Sequence, residues 1–165
     1  MKGSSNSLRL KSNASELNKV EKLIEAIADK YYLNDSYFAN MMVALTEAFN
    51  NALVHGNNND ASKEINIDFS FSGQEMIFTI TDAGNGFAFN EFINSNQTSE
   101  NQRGILLIQK VSDKVEFADM GRQISIHFNV ASVSRDTAQN RMSVFQQTDN
   151  VKEKQSNEKQ NHRLE

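Results

Sequence analysis

With 165 residues, 38% of them hydrophobic and 23% charged, the chain is long enough for one domain with a real core and is not disordered in composition. It has no cysteine, which excludes disulfides, thiolate metal sites and a cysteine nucleophile and suits a reducing cytoplasm. Net charge is −4, and up to Val130 there are 16 Asp and Glu against 11 Lys and Arg, so no direct nucleic-acid partner is expected.

Met1 to Lys11 lack the apolar centre of a signal peptide. No later apolar run approaches the roughly 20 residues of a membrane span, so no membrane partner is expected either. Ser7 to Lys11 alternates, with Leu8 and Leu10 on one face, which predicts a short first strand. Ser12 or Ser15 can cap the helix that follows, where Leu17, Val20, Ile24, Ile27, Ala28 and Tyr31 recur at helical spacing. Asn34-Asp35 interrupts. A second helix is predicted from Ser36 to His55, stopped by Gly56, with Asn57 to Asp60 as loop.

From Glu64 the period changes to two. Ile65, Ile67, Phe69 and Phe71 alternate with polar residues, then Met76, Phe78 and Ile80 do the same beyond Ser72-Gly73-Gln74, which predicts a β-hairpin. Its second strand runs into Asp82-Ala83-Gly84-Asn85-Gly86. Phe87 to Ile93 can form one or two helical turns. Asn94 to Gln102 reads as a mobile polar loop, and Gly104 to Val111 as a short apolar helix. Lys114 to Ala118 is a strand, Asp119-Met120-Gly121 a turn, and Gln123 to Val130 a last strand with Ile124, Ile126, Phe128 and Val130 on one face. The expected fold class is α+β: a two-layer α/β sandwich over residues 1–130, with helices on one face of a mixed, mainly antiparallel sheet. Residues 131–165 read as a polar, disordered tail: the pattern fades from Ala131, Met142, Val144 and Phe145 can form one amphipathic turn, and Asn150 to Glu165 cannot bury enough apolar surface to offset the entropy of ordering.

Three stretches carry chemistry. On a helix advancing about 100° per residue, Glu47, Asn51 and His55 fall close together. Phe38, Met41, Met42, Leu45, Phe49, Ala52 and Leu53 lie opposite, with Ala44 and Val54 on the polar side. An ordinary amphipathic surface helix would show the same division. The carboxylate of Asp82, at a strand end, can accept a hydrogen bond from an exocyclic amine such as adenine N6. Gly84 and Gly86 let the backbone approach a flat ring; a plain Gly-rich turn is the alternative. Arg103-Gly104-Ile105 at a helix start offers a charge and backbone N–H groups to a phosphate, or is simply the beginning of a buried helix. There is no G-x-x-x-x-G-K and no His-Glu-x-x-His, which excludes a P-loop and a zincin site.

In this order, E-x-x-x-N-x-x-x-H-G on a helix, D-x-G-x-G after a hairpin and R-G-I-x-L-I at a helix, the sequence resembles the GHKL ATPase superfamily, which includes gyrases, heat-shock chaperones and histidine kinases. The compact form, with Ser112-Asp113-Lys114-Val115-Glu116-Phe117 and a Gly turn near the end, is most similar to bacterial anti-sigma factor serine/threonine kinases, over roughly Leu8 to Val130. The resemblance implies ATP and Mg²⁺ as cofactors. It makes Glu47 the general base and Asn51 the Mg²⁺ ligand, and sets His55 at the phosphate or ribose rim unless it caps the helix. Asp82 would bind adenine N6 with Gly84 and Gly86 beside the base; Arg103, Gly104 and Ile105 would meet the phosphates, and Ser125 would be a further adenine contact. The implied reaction is γ-phosphoryl transfer to an anti-sigma-factor antagonist protein, with a sigma factor as the sequestered partner, a homodimer and a cytoplasmic location. Gln102 and Leu106 stand where the family usually has glycines, which leaves a non-catalytic, ATP-binding partner-switch module as the alternative. A histidine kinase fragment fits less well, because the chain begins at the first strand without a helical hairpin.

Overall fold

The computed structural model describes residues 4–86 and 100–130. The chain divides into two units, Met1–Ala131 and Ser132–Glu165, and all described residues lie in the first. The expected tail with its turn at Met142, the helical turns at Phe87 to Ile93, and the loop from Asn94 up to residue 99 lie outside the described residues.

The elements are β1 (Ser4–Lys11), α1 (Leu17–Tyr31), α2 (Asp35–Asn51), β2 (Glu64–Phe71), β3 (Glu75–Asp82), α3 (Glu100–Val111), β4 (Lys114–Ala118) and β5 (Gln123–Asn129). The strands form one sheet in the order β1-β2-β3-β5-β4, and each neighbouring pair is antiparallel. This is the expected α+β class, with no parallel pair among the described strands. Alternation along each strand gives the sheet one apolar face. One row across it is Leu8, Ile67, Ile80, Ile124 and Phe117, and the next is Phe69, Phe78, Ile126 and Val115. Helix residues Val20, Ile24 and Ile27 of α1 and Met41, Leu45 and Phe49 of α2 complete the core. Phe78 sits at its centre, with ring centroids 5.0 Å from Phe69 and 6.1 Å from Phe128.

The opposite face is polar. Thr79 and Ser125 share a hydrogen bond of 3.0 Å there. His127 is buried between two carboxylates, its Nδ1 2.8 Å from Glu75 Oε1 and its Nε2 2.9 Å from Glu116 Oε2, the latter without hydrogen-bond geometry.

Four local expectations change. Asn13, rather than Ser12 or Ser15, starts the first helical segment, accepting the Ser15 N–H at 3.0 Å ahead of a 3₁₀ turn over Ala14–Glu16. Ser12 is instead buried. The second helix is α only to Asn51 and then widens into a π turn over Ala52–Gly56, closed by the Asn57 N–H on the Ala52 carbonyl at 2.8 Å. The extra residue in that turn carries the Asn57 side chain into the interior, where it is fully buried. α3 begins at Glu100, so Glu100 to Gln102 are helical and Arg103-Gly104 lie inside the helix rather than at its start. Gln102, Ile105 and Ile108 form its buried stripe, and a glutamine at the first of these positions hid that turn from the apolar periodicity. Finally, α3 packs along α2, and Ala44, which the wheel put on the polar side, is buried.

Candidate functional site

The site forms where β3 ends against the π turn. Alternation places Met76, Phe78 and Ile80 toward the helices, and the same step places Asp82 there, opposite Ile65. A carboxylate at the end of an apolar row is half-buried, and that burial pushes its pKa up. The Gly84 N–H, then Arg122 and Lys63, pull the other way, while Asp119 adds a smaller upward push.

Asp82 is fixed by the backbone around it. Its N–H donates to the Arg122 carbonyl at 3.0 Å, and its Oδ1 accepts the Gly84 N–H at 2.8 Å. The next N–H, from Ala83, donates to Asn57 Oδ1 at 2.8 Å. Among the described residues Oδ2 accepts no hydrogen bond. Close approach makes two glycines necessary. A Cβ on Gly84 would overlap the Gly56 carbonyl oxygen, and one on Gly56 would overlap the Asp82 carboxylate.

Beside Asp82 opens a cleft that is partly open to solvent. Its apolar walls are Ala48, Ala52, Ile80, Ile105, Phe117 and Ile124, and its polar groups are Asn51, His55, Asp82 and Arg122, with backbone from Gly86 and Gly121. A few polar groups among apolar walls is the usual make-up of a small-molecule site. The Arg122 guanidinium is tied to the Asp119 carboxylate, which raises its pKa, with Asp82 adding to the effect.

The structure therefore brings Asn51, His55, Asp82, Gly86 and Ile105 together on the cleft. The end of the π turn is closed by the Asn57 N–H, and His55 is exposed at the cleft wall. Gly84 lies behind Asp82, holding its Oδ1. Glu47 sits one helical turn before Asn51, under α3. A Cβ on Gly104 would stand 2.9 Å from Glu47 Oε2 and 3.3 Å from Asn51 Nδ2, so α3 rests directly on this pair. Arg103 is exposed and not on the cleft wall. Ser125 is not brought to the cleft: β5 turns Ile124 and Ile126 toward the helices and Ser125 to the opposite face, against Thr79.

Sequence reasoning missed Asn57, Arg122 and the apolar walls. The walls were legible, since Ile80, Phe117 and Ile124 share one cross-strand row. Asn57 carried no such signal, because an asparagine after glycine reads as a turn.

The model of the histidine kinase-like ATPase domain family matches residues 10–128. The chain belongs to that family. Among solved structures it is similar to the RsbU and RsbW domains of Rv1364c from Mycobacterium tuberculosis, with a TM-score of 0.55 and 13% identity, covering 76% of this chain and 31% of that one. At that identity the likeness shows the fold, and the chain spans less than a third of the other's length. No curated protein matches the sequence. The family implies ATP binding, and the cleft brings apolar side chains together with the Asp82 carboxylate and Asn51. No described helix is long and apolar enough to cross a membrane.

Proposed function

We propose that this histidine kinase-like ATPase domain binds Mg-ATP in the cleft and transfers the γ-phosphate to a serine or threonine of an anti-sigma-factor antagonist in the cytoplasm, while also sequestering a sigma factor. The observation that carries the reading is Asp82: a half-buried carboxylate, held through Oδ1 by the Gly84 N–H, on a mainly apolar cleft that Asn51 of α2 also lines. Adenine would lie between Ile80, Ile124 and Ile105 and donate its N6 hydrogen to Oδ2. Asn51 would hold Mg²⁺ through its amide oxygen, a hard ligand for a hard ion. Bound there, the ion neutralises charge on the phosphates. No cluster of three or more His, Asp or Glu exists among the described residues, so protein ligands alone would not hold the metal. Glu47 would accept the proton of the attacking hydroxyl; Arg103, exposed and off the cleft wall, would meet the phosphates only with a shift of α3. The polar sheet face around Thr79, Ser125 and His127 is the surface we assign to a homodimer.

One observation favours the second reading, a partner-switch module with little transfer. Gly104 rests on Glu47 and Asn51, so the face that would meet the γ-phosphate is covered by α3. Labelled ATP with candidate antagonist proteins decides between them. Under the kinase reading a serine or threonine becomes labelled, and Glu47→Ala abolishes the label while sparing ATP binding. Intact binding with no label on any candidate would leave the module reading standing.

A further inference from the structure

Asn57 is fully buried and cross-links four segments of the fold. Its Nδ2 donates to Ser12 Oγ at 2.6 Å, at the end of β1, and to the Glu64 carbonyl at 3.0 Å, at the start of β2. Its Oδ1 accepts the Ala83 N–H at 2.8 Å, and its own backbone N–H closes the π turn. The three side-chain bonds use both Nδ2 hydrogens and the Oδ1 of the amide, so no isostere reproduces the set. Gly56, one residue earlier, lies against the Asp82 carboxylate.

The bond to Ala83 is the one that bears on the cleft. Asp82 is held on its upstream side by the Arg122 carbonyl, a backbone group, and through its own side chain by the Gly84 N–H, another backbone group. On its downstream side the peptide it shares with Ala83 is held by a side chain, that of Asn57. Rotation of that peptide would redirect the chain that follows and carry the Gly84 N–H off Oδ1, which frees the carboxylate to turn.

We infer that Asn57 is the positioning residue for base selection: it fixes the Asp82–Ala83 peptide so that Oδ2 meets the exocyclic amine of the bound purine. This rests on the ATP reading of the cleft. A merely structural Asn57 would lower stability and weaken all nucleotides alike. A positioning Asn57 has a different signature, because only the base amine senses where Oδ2 points.

The test compares ATP with ITP by calorimetry in the presence of Mg²⁺. ITP has a carbonyl oxygen in place of the amine, so an acceptor would face the carboxylate. Wild type should prefer ATP by about tenfold to a hundredfold, the size of a hydrogen bond to a charged group. Asn57→Ala, or Asn57→Ser should the alanine variant fail to fold, should bring the two affinities to within about threefold of one another, with the loss falling on ATP. Ser12→Ala is the control: it removes a bond on the far side of Asn57, lowers the melting temperature and keeps the ATP preference. Variants of Asn57 that melt lower yet keep the wild-type preference would overturn the inference. A wild type with no preference for ATP would instead overturn the assignment of Asp82 to the base amine, and with it the reading on which this inference stands.

Discussion

Asp82→Asn exchanges one oxygen for an amino group, and the structure dictates which one. Oδ1 is held by the Gly84 N–H at 2.8 Å, so the carbonyl oxygen of the asparagine takes that place and the NH₂ takes the place of Oδ2. The adenine amine then meets a donor instead of an acceptor. The loss is a hydrogen bond to a charged group, about 1.5–3 kcal/mol, or roughly tenfold to 150-fold in Kd. The same change makes the free protein more stable. Burial raises the Asp82 pKa in the folded state above its unfolded value, so the folded protein binds the proton more tightly and loses stability as pH rises through that window. At neutral pH a side chain that never ionises escapes this cost. Titration calorimetry with ATP and thermal melting without it should therefore move in opposite directions, with weaker binding and a higher Tm. ITP should gain, because the new NH₂ can donate to its carbonyl oxygen. An asparagine variant that binds ATP as wild type does would refute the placement of the base on Oδ2.

Other outcomes follow from the same geometry. Gly84→Ala should abolish nucleotide binding and lower Tm sharply, because its Cβ would overlap the backbone carbonyl of Gly56, which has no free direction to yield; a melt and a titration check it. Gly104→Ala should behave differently. Its Cβ meets Glu47 Oε2 at 2.9 Å, the movable end of a side chain, and alanine gains up to about 1 kcal/mol in a helix interior, so Tm should hold or rise while phosphoryl transfer falls. With the base amine on the ionised Asp82, as proposed, ATP affinity should drop on acidification. The drop should begin above the pH at which an ordinary carboxylate protonates, since burial raises this one, and calorimetry over a pH series reads it.

Much of this was legible in the sequence where one period governed the residues. The alternation through β2, β3 and β5 gave the sheet, its apolar face and the side on which Asp82 emerges. The same alternation already spoke against Ser125 as a base contact, because Ile124 and Ile126 claim the inner face on either side of it. Where two partners share one element, periodicity failed. α2 is covered by the sheet on one side and by α3 on another, so Ala44 looked polar by position yet is buried, and Gln102 hid the first turn of α3. The π turn was invisible because a five-residue closure leaves no mark on the wheel until Asn57 has somewhere to go. That destination is a set of bonds to Ser12, Glu64 and Ala83, residues 45, 7 and 26 positions away, which no local pattern encodes.

The two ends of the cleft differ in how firmly they are built, and this difference separates the two functional readings. At the end we assign to the base, Asp82 is held by backbone and by Asn57, and glycines permit contacts that any side chain would block. At the end we assign to the phosphates, Asn51, with Glu47 one turn before it, lies beneath Gly104 of a helix whose exposed face carries Arg103, Leu106 and Leu107. Within a helix beginning at Glu100, the N–H of Gly104 is directed at the carbonyl four residues earlier rather than at a ligand. Transfer would require α3 to yield that contact, whereas binding of the base would not. A ligand favours the displaced arrangement only by as much as it binds that arrangement better. The γ-phosphate, and not adenine, is the group that could supply the difference. Adenosine should therefore bind without disturbing α3, and any opening over Glu47 should track the presence of the γ-phosphate.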